Sequence, residues 1–204
     1  MYKKALAHFK KTDPILHSIG LQIEPFQITS REKVEDHFFA LCGEIVGQQL
    51  SGKAANTIFN RFVSLFPDKK VTPEQTLKIP DVAIRAAGTS WAKVRYIKDL
   101  AQKTLTQDIH LEQISKLKDR EVIAELTKIK GIGAWTAEMY LMFTLGRPDV
   151  FSFGDLGLQN AIQKVYKMKK KPTIKQMEKL VKKWTPFRTY AAMILWKSLD
   201  NKAK

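Results

Sequence analysis

Signals for the start of a helix recur at short intervals along this 204-residue chain, and they confine it to a helical fold. Thr29 with Glu32 forms a capping box ahead of an apolar stretch from Val34 to Gln48. Thr72-Pro73 joins an N-cap to a first-turn proline, with Gln75 at the box position. Ser90 precedes Trp91 to Gln107, Thr173 with Gln176 opens Ile174 to Trp184, and Thr185-Pro186 opens Phe187 to Leu199. Gly88 and Gly146 stand where helix C-caps belong. Apolar residues between these signals follow helical spacing, as in Ile97, Leu100, Ala101 and Leu105. Only Leu21 to Thr29 has a strand-like pattern, and it is short. The reading is an all-α fold of roughly ten helices joined by short loops.

Composition narrows the class. With 44% hydrophobic residues the chain can bury a real core, and 204 residues suit one domain or two small ones. Lys and Arg number 35 against 20 Asp and Glu, a net charge of +15. That surplus favours polyanionic partners and salt-sensitive binding, although charge alone is equally well explained by solubility. Cys42 is the only cysteine. It excludes a disulfide framework, a thiolate zinc site and an iron–sulfur cluster, and its apolar neighbours predict a buried small side chain. His8, His17, His37 and His110 lack the spacing of a metal site. No run approaches the ~18 apolar residues of a membrane span, and no apolar leader follows the N-terminal lysines, so a soluble intracellular protein without membrane partners is expected.

No low-complexity linker or fixed-period repeat interrupts the chain. Composition shifts after Gly146, where Arg147-Pro148-Asp149 breaks the helices and Phe151 to Gly154 is non-helical. The run Lys164 to Lys183 is heavily basic; a solvated helix face is its simplest reading.

The most specific feature is Leu126-Thr127-Lys128-Ile129-Lys130-Gly131-Ile132-Gly133-Ala134-Trp135-Thr136-Ala137. A helix from Asp119 should end near Thr127, two glycines should form a tight turn, and a second helix should begin at Ala134. Glycine permits positive φ and a close approach to a ligand. The second helix would point free N–H groups and its positive dipole end outward, which suits a phosphate, and Lys128 and Lys130 add charge. The carbonyls of Thr127, Ile129 and Ile132 are candidates for a monovalent cation, Na+ or K+. A plain interhelical turn is the alternative.

Asp155 ends the stretch Gly146-Arg147-Pro148-Asp149-Val150-Phe151-Ser152-Phe153-Gly154. It falls where a helix over Leu156 to Tyr166 begins, so it is expected as an N-cap. The same position holds a carboxylate ionised and fixes its rotamer. An ionised carboxylate facing a cleft suits bond cleavage through an oxocarbenium-like transition state.

Together these residues resemble the helix–hairpin–helix DNA glycosylase superfamily, and within it 3-methyladenine DNA glycosylase II of the alkylation-repair branch. The resemblance runs from about Val34 to the C-terminus and is most specific over Leu126 to Leu158. Ile45-Val46-Gly47-Gln48-Gln49-Leu50-Ser51 and the stretch Trp184 to Trp196 also look like that branch, in a compact form without an N-terminal β-domain. The resemblance implies two lobes with a cleft between them: 33–145, with the helix–hairpin–helix at about 119–145, and 1–32 plus 146–204. It implies Asp155 as the catalytic carboxylate and Trp196, Trp135 and Met139 as pocket residues. Gln49 would fill the gap left by an extruded base, with Leu50 as helper. Gly131, Gly133, Lys128, Lys130 and Ala134 would hold DNA phosphate, and Gly88 to Arg95 would form a second backbone-contact turn.

Lyase-competent members carry a lysine two residues after the second hairpin glycine. Trp135 stands there, which implies a monofunctional enzyme that uses water and needs no cofactor. The implied partner is double-stranded DNA with damaged bases, bound by a monomer, cytoplasmic and nucleoid-associated in a bacterium. Two rivals stay open: a glycosylase for deaminated, mismatched or oxidised bases, and a noncatalytic helix–hairpin–helix DNA-binding protein. A pure binder would gain nothing from Asp155.

Overall fold

The computed structural model describes residues 1–23 and 36–200. The Thr29–Glu32 capping box and most of the strand-like stretch lie outside them. Among the described residues twelve α-helices are joined by short turns and 3-10 segments, and no strand occurs. They are α1 (Tyr2–Thr12), α2 (Pro14–Gly20), α3 (His37–Gly47), α4 (Gly52–Val63), α5 (Pro73–Lys78), α6 (Asp81–Ala86), α7 (Trp91–Leu105), α8 (Asp119–Leu126), α9 (Ala134–Met139), α10 (Leu156–Val165), α11 (Ile174–Val181) and α12 (Arg188–Asp200). The chain divides into two compact units, residues 33–140 and residues 1–32 with 141–204.

Side-chain caps set most of the helix starts. Ser90 Oγ accepts from Lys93 N at 3.2 Å, Thr72 Oγ1 from Gln75 N at 3.3 Å, and Ser51 Oγ from Ala54 N at 3.4 Å. Thr173 and Gln176 form a full capping box, each side chain accepting from the other's backbone N–H. Gly88 (φ 112°) and Gly146 (φ 65°) take the left-handed conformation that ends a helix. One start departs from expectation. Thr185-Pro186 is a cis peptide, and α12 begins at Arg188, where Asp149 Oδ1 accepts the Arg188 N–H at 3.2 Å. The cap comes from a loop 39 residues upstream, beyond the reach of any local pattern.

In the unit of residues 33–140, α3 and α7 form the core. Phe38, Leu41, Cys42, Ile45 and Val46 of α3 are buried, as are Val94, Ile97, Leu100 and Ala101 of α7. Burial pushes the Cys42 thiol far above its usual range, as suits an inert apolar side chain. The helix after the hairpin does not run straight: α9 widens into a π-turn over Tyr140–Thr144 before Gly146.

In the other unit α12 is central, with every residue from Thr189 to Leu195 buried. A helix apolar on all sides must be enclosed, here by α10 and α2. Asp13 ties three segments together. Its Oδ1 accepts from Leu16 N at 3.1 Å, and its Oδ2 accepts from Tyr166 Oη at 2.6 Å and from Trp184 Nε1 at 2.8 Å. Asp13→Ala would strand the phenol and indole donors, so a loss of about 3 kcal/mol is expected in urea unfolding. Asp13→Asn, which keeps an acceptor, should lose markedly less.

Candidate active site and nucleic-acid interface

Asp155 caps α10, its Oδ1 accepting the Leu158 N–H at 2.7 Å. The same oxygen accepts the Trp196 indole N–H at 3.1 Å. Asp155 is 9% exposed, and Trp196 is half-buried with Phe143 beside it at a ring separation of 6.1 Å. Gly157 leaves room for this arrangement. A Cβ there would stand 3.0 Å from Asp155 Oδ1 and 3.3 Å from Trp196 Nε1. Neither Gly157 nor Phe143 stands out in the sequence, because each matters only through a partner about forty residues or more away or through local crowding.

The loop that delivers Asp155 is clasped by the first turn of α12. Thr189 Oγ1 donates to Arg147 O at 2.6 Å and accepts from Val150 N at 3.0 Å. Arg188 grips Asp149 bidentately, Nε to Oδ1 at 2.7 Å and the other guanidinium nitrogen to Oδ2 at 3.0 Å. Gln159 Nε2 then donates to Phe153 O at 3.1 Å. The carboxylate therefore sits on a segment fixed at both ends.

The hairpin forms as its sequence predicts, with α8 ending at Leu126 and α9 starting at Ala134. Gly131 adopts φ 81°, whereas Gly133 has φ −93° and is the uncapped N-cap of α9. Positive φ was expected of both glycines; the turn needs it only at Gly131, where a Cβ would also overlap the Tyr96 ring. A Cβ on Gly133 would meet nothing. Lys128, Lys130, Gly131, Gly133, Ala134 and Trp135 are exposed, and Ile129 and Ile132 are buried. The Ile129 carbonyl accepts the Ile132 N–H at 3.1 Å.

The hairpin lysines are partly compensated. Lys128 Nζ donates to Glu125 Oε2 at 2.6 Å and to Asp108 O at 3.2 Å, while Lys130, mostly exposed, lies 3.6 Å from Asp99. Burial opposes ionisation of Asp99, but donors from Lys130 N and Lys103 outweigh it and hold the carboxyl below its usual range. Trp135 and Met139, expected on one face, differ: Trp135 is 49% exposed and Met139 is buried.

Between α3 and α4, Gln49 takes φ 59° and is exposed, as is Leu50. Gln48 turns back, its Nε2 donating to Gly131 O at 2.9 Å. Lys93 Nζ donates to Val46 O at 2.8 Å and Gln48 O at 2.6 Å, and burial lowers its pKa. Lys93 is thus a cap on α3 rather than a solvated charge. Four α7 residues at helical spacing serve this region: Lys93 the α3 turn, Tyr96 Gly131, Asp99 the Lys130 N–H at 2.8 Å, and Lys103 the Lys128 carbonyl. Among the described residues no group of His, Cys, Asp or Glu could hold a metal ion.

Residues 42–187 match the HhH-GPD superfamily of base excision DNA repair proteins, and the chain belongs to that superfamily. Its relatives include DNA-3-methyladenine glycosylase 1 of Schizosaccharomyces pombe, 39% identical over 83% of this chain and 75% of that protein. The fold is similar to that of the S. pombe 3-methyladenine DNA glycosylase in complex with abasic DNA, at TM-score 0.78, 33% identity and 97% coverage of both chains. It is equally similar to a DNA-3-methyladenine glycosidase from Bacillus halodurans, at TM-score 0.78 and 34% identity, covering 93% of this chain and 86% of that one.

The two glycines should separate in a melting experiment. Gly131→Ala is expected to cost about 2 kcal/mol or more through positive φ and displacement of Tyr96. Gly133→Ala, which weakens only the N-cap of α9, should cost no more than about 0.5 kcal/mol.

Proposed function

We propose that the protein is a monofunctional DNA-3-methyladenine glycosylase of base excision repair, which hydrolyses the N-glycosidic bond of alkylated purines with Asp155. The observation that carries this reading is the doubly hydrogen-bonded Asp155 carboxylate beside an indole, in a chain of a base-excision family. Methylation at adenine N3 or guanine N7 makes the base cationic, so it leaves as a neutral molecule once the bond to C1′ breaks. The bonding pair departs with the base, and positive charge develops on the sugar. Asp155 stabilises that charge and positions or deprotonates the water whose oxygen then bonds to C1′. The products are a free base and an abasic strand.

Trp196 offers an electron-rich face to a cationic base, with Phe143 behind it. Trp135 and Met139 are the further pocket residues of this reading. Exposed Gln49 and Leu50 enter the space left by the extruded base. A strand phosphate lies against the backbone of Gly131, Gly133 and Ala134 in this reading, with Lys130 and Lys128 nearby; the carbonyls of Thr127, Ile129 and Ile132 would hold a monovalent cation, which would add positive charge for that phosphate. Gly133→Ala separates this role from folding: it should weaken duplex binding about tenfold at fixed salt, since the new methyl fills the space the phosphate needs.

Asp155→Asn tests the chemistry. Asn keeps an oxygen for the Leu158 and Trp196 donors and removes only the charge. Single-turnover excision of 7-methylguanine should fall by about 10² to 10³, with melting and duplex binding preserved. Full activity would reduce Asp155 to a helix cap and assign the bond cleavage to another group; a wild-type protein that excises nothing would instead be a DNA-binding protein. Because Trp135 occupies the Schiff-base position, borohydride should trap no covalent enzyme–DNA adduct; efficient trapping would contradict hydrolysis by water.

A further inference from the structure

We infer that Gln48 is a positioning residue that fixes the gap-filling turn in register with the phosphate-holding hairpin, and that Lys93 is the brace that makes this possible. The inference rests on the proposed roles of Gln49–Leu50 and of Gly131–Ala134. Its basis is the geometry of the turn. α3 ends at Gly47, Gln48 is extended (φ −51°, ψ 132°), and Gln49 is left-handed at φ 59°. A non-glycine residue in that conformation is strained and persists only where its surroundings fix it.

Two side chains do so. Lys93 Nζ, half-buried, holds the Val46 and Gln48 carbonyls at 2.8 and 2.6 Å, at the negative end of α3. Gln48 Nε2 holds the Gly131 carbonyl at 2.9 Å across 83 residues of sequence. Gly131 in turn rests against Tyr96, one helical turn beyond Lys93 on α7. Gripping the strand at the hairpin therefore sets where Gln49 and Leu50 point. A turn lacking the Gln48 bond would still let the hairpin hold phosphate, but insertion would lose its reference.

The test separates grip from insertion. Gln48→Met keeps length and shape and removes the donor; Lys93→Met does the same for the brace. Grip is read as affinity for a duplex carrying a tetrahydrofuran abasic analogue. Insertion is read by stopped-flow fluorescence of 2-aminopurine beside 7-methylguanine. Gln48→Met should keep affinity within about twofold and slow extrusion about tenfold, the effect of one lost hydrogen bond. The double variant should be slowed by less than the product of the two single effects, since both act through one strut. Excision should recover when the lesion lies opposite an abasic site, where no pair must be broken. A Gln48→Met protein that extrudes at the wild-type rate while Gln49→Ala is slow overturns the strut and leaves the gap-filling role standing. Unchanged extrusion in both removes that role and the strut with it. Affinity, extrusion and melting temperature falling together, without recovery opposite the abasic site, would make Gln48 merely structural. Should Lys93→Met fail to fold, Gln48→Met decides alone.

Discussion

Two donors share one oxygen at the centre of residues 141–204: the Leu158 amide and the Trp196 indole both point at Asp155 Oδ1. Most of the surrounding structure serves that meeting. The amide is available because α10 begins at Leu156 and leaves its first-turn N–H groups without helical partners. The indole reaches the oxygen because α12 passes the start of α10 where residue 157 has no side chain. The loop before Asp155 cannot drift, since Arg188 and Thr189 bind it at Asp149, Arg147 and Val150. The role proposed for Asp155, a carboxylate that does not reorganise while charge develops beside it, is well served by such fixation.

The unit of residues 33–140 solves a different problem. A backbone such as the one proposed here to receive a phosphate must expose amides and small residues, and such segments have little packing of their own. α7 supplies the missing support along one face. Lys93, Tyr96, Asp99 and Lys103 each meet a backbone atom or ring-sized gap of the neighbouring turns. The compensated lysines fit this division of labour. Lys128 spends much of its charge on Glu125 and Asp108, so the hairpin's capacity for an anion rests more on the backbone and on exposed Lys130.

What could be read from sequence divides along the range of the interactions. Caps at Thr72, Ser90, Thr173 and Asp155 depend on residues three positions away, and each appears in the structure. The hairpin boundaries were legible for the same reason: two glycines interrupt two apolar periods. Interactions between distant segments were not legible. Thr185-Pro186 carries a local start signal, yet the cap of α12 is Asp149. Trp135 and Met139 share helical spacing, but Trp135 stands in the exposed first turn of α9 with Gly133 and Ala134, whereas Met139 lies a turn further on, where the helix is buried. Gly157 looked unremarkable, since its role depends on an indole 39 residues further on.

The bond from Trp196 to Asp155 also limits how the protein can change. The wall proposed to select the base and the charge proposed to break its bond share a hydrogen atom. Replacing the indole to admit a different lesion withdraws a donor from the carboxylate, and enlarging residue 157 disturbs both together. Preference and turnover are therefore not independently adjustable from this side of the site. Divergence in lesion choice should accumulate instead at positions such as Phe143, which borders the indole and carries no hydrogen-bonding group of its own to offer the carboxylate. A lineage that altered residue 196 itself would have to rebuild the support of Asp155 in the same step.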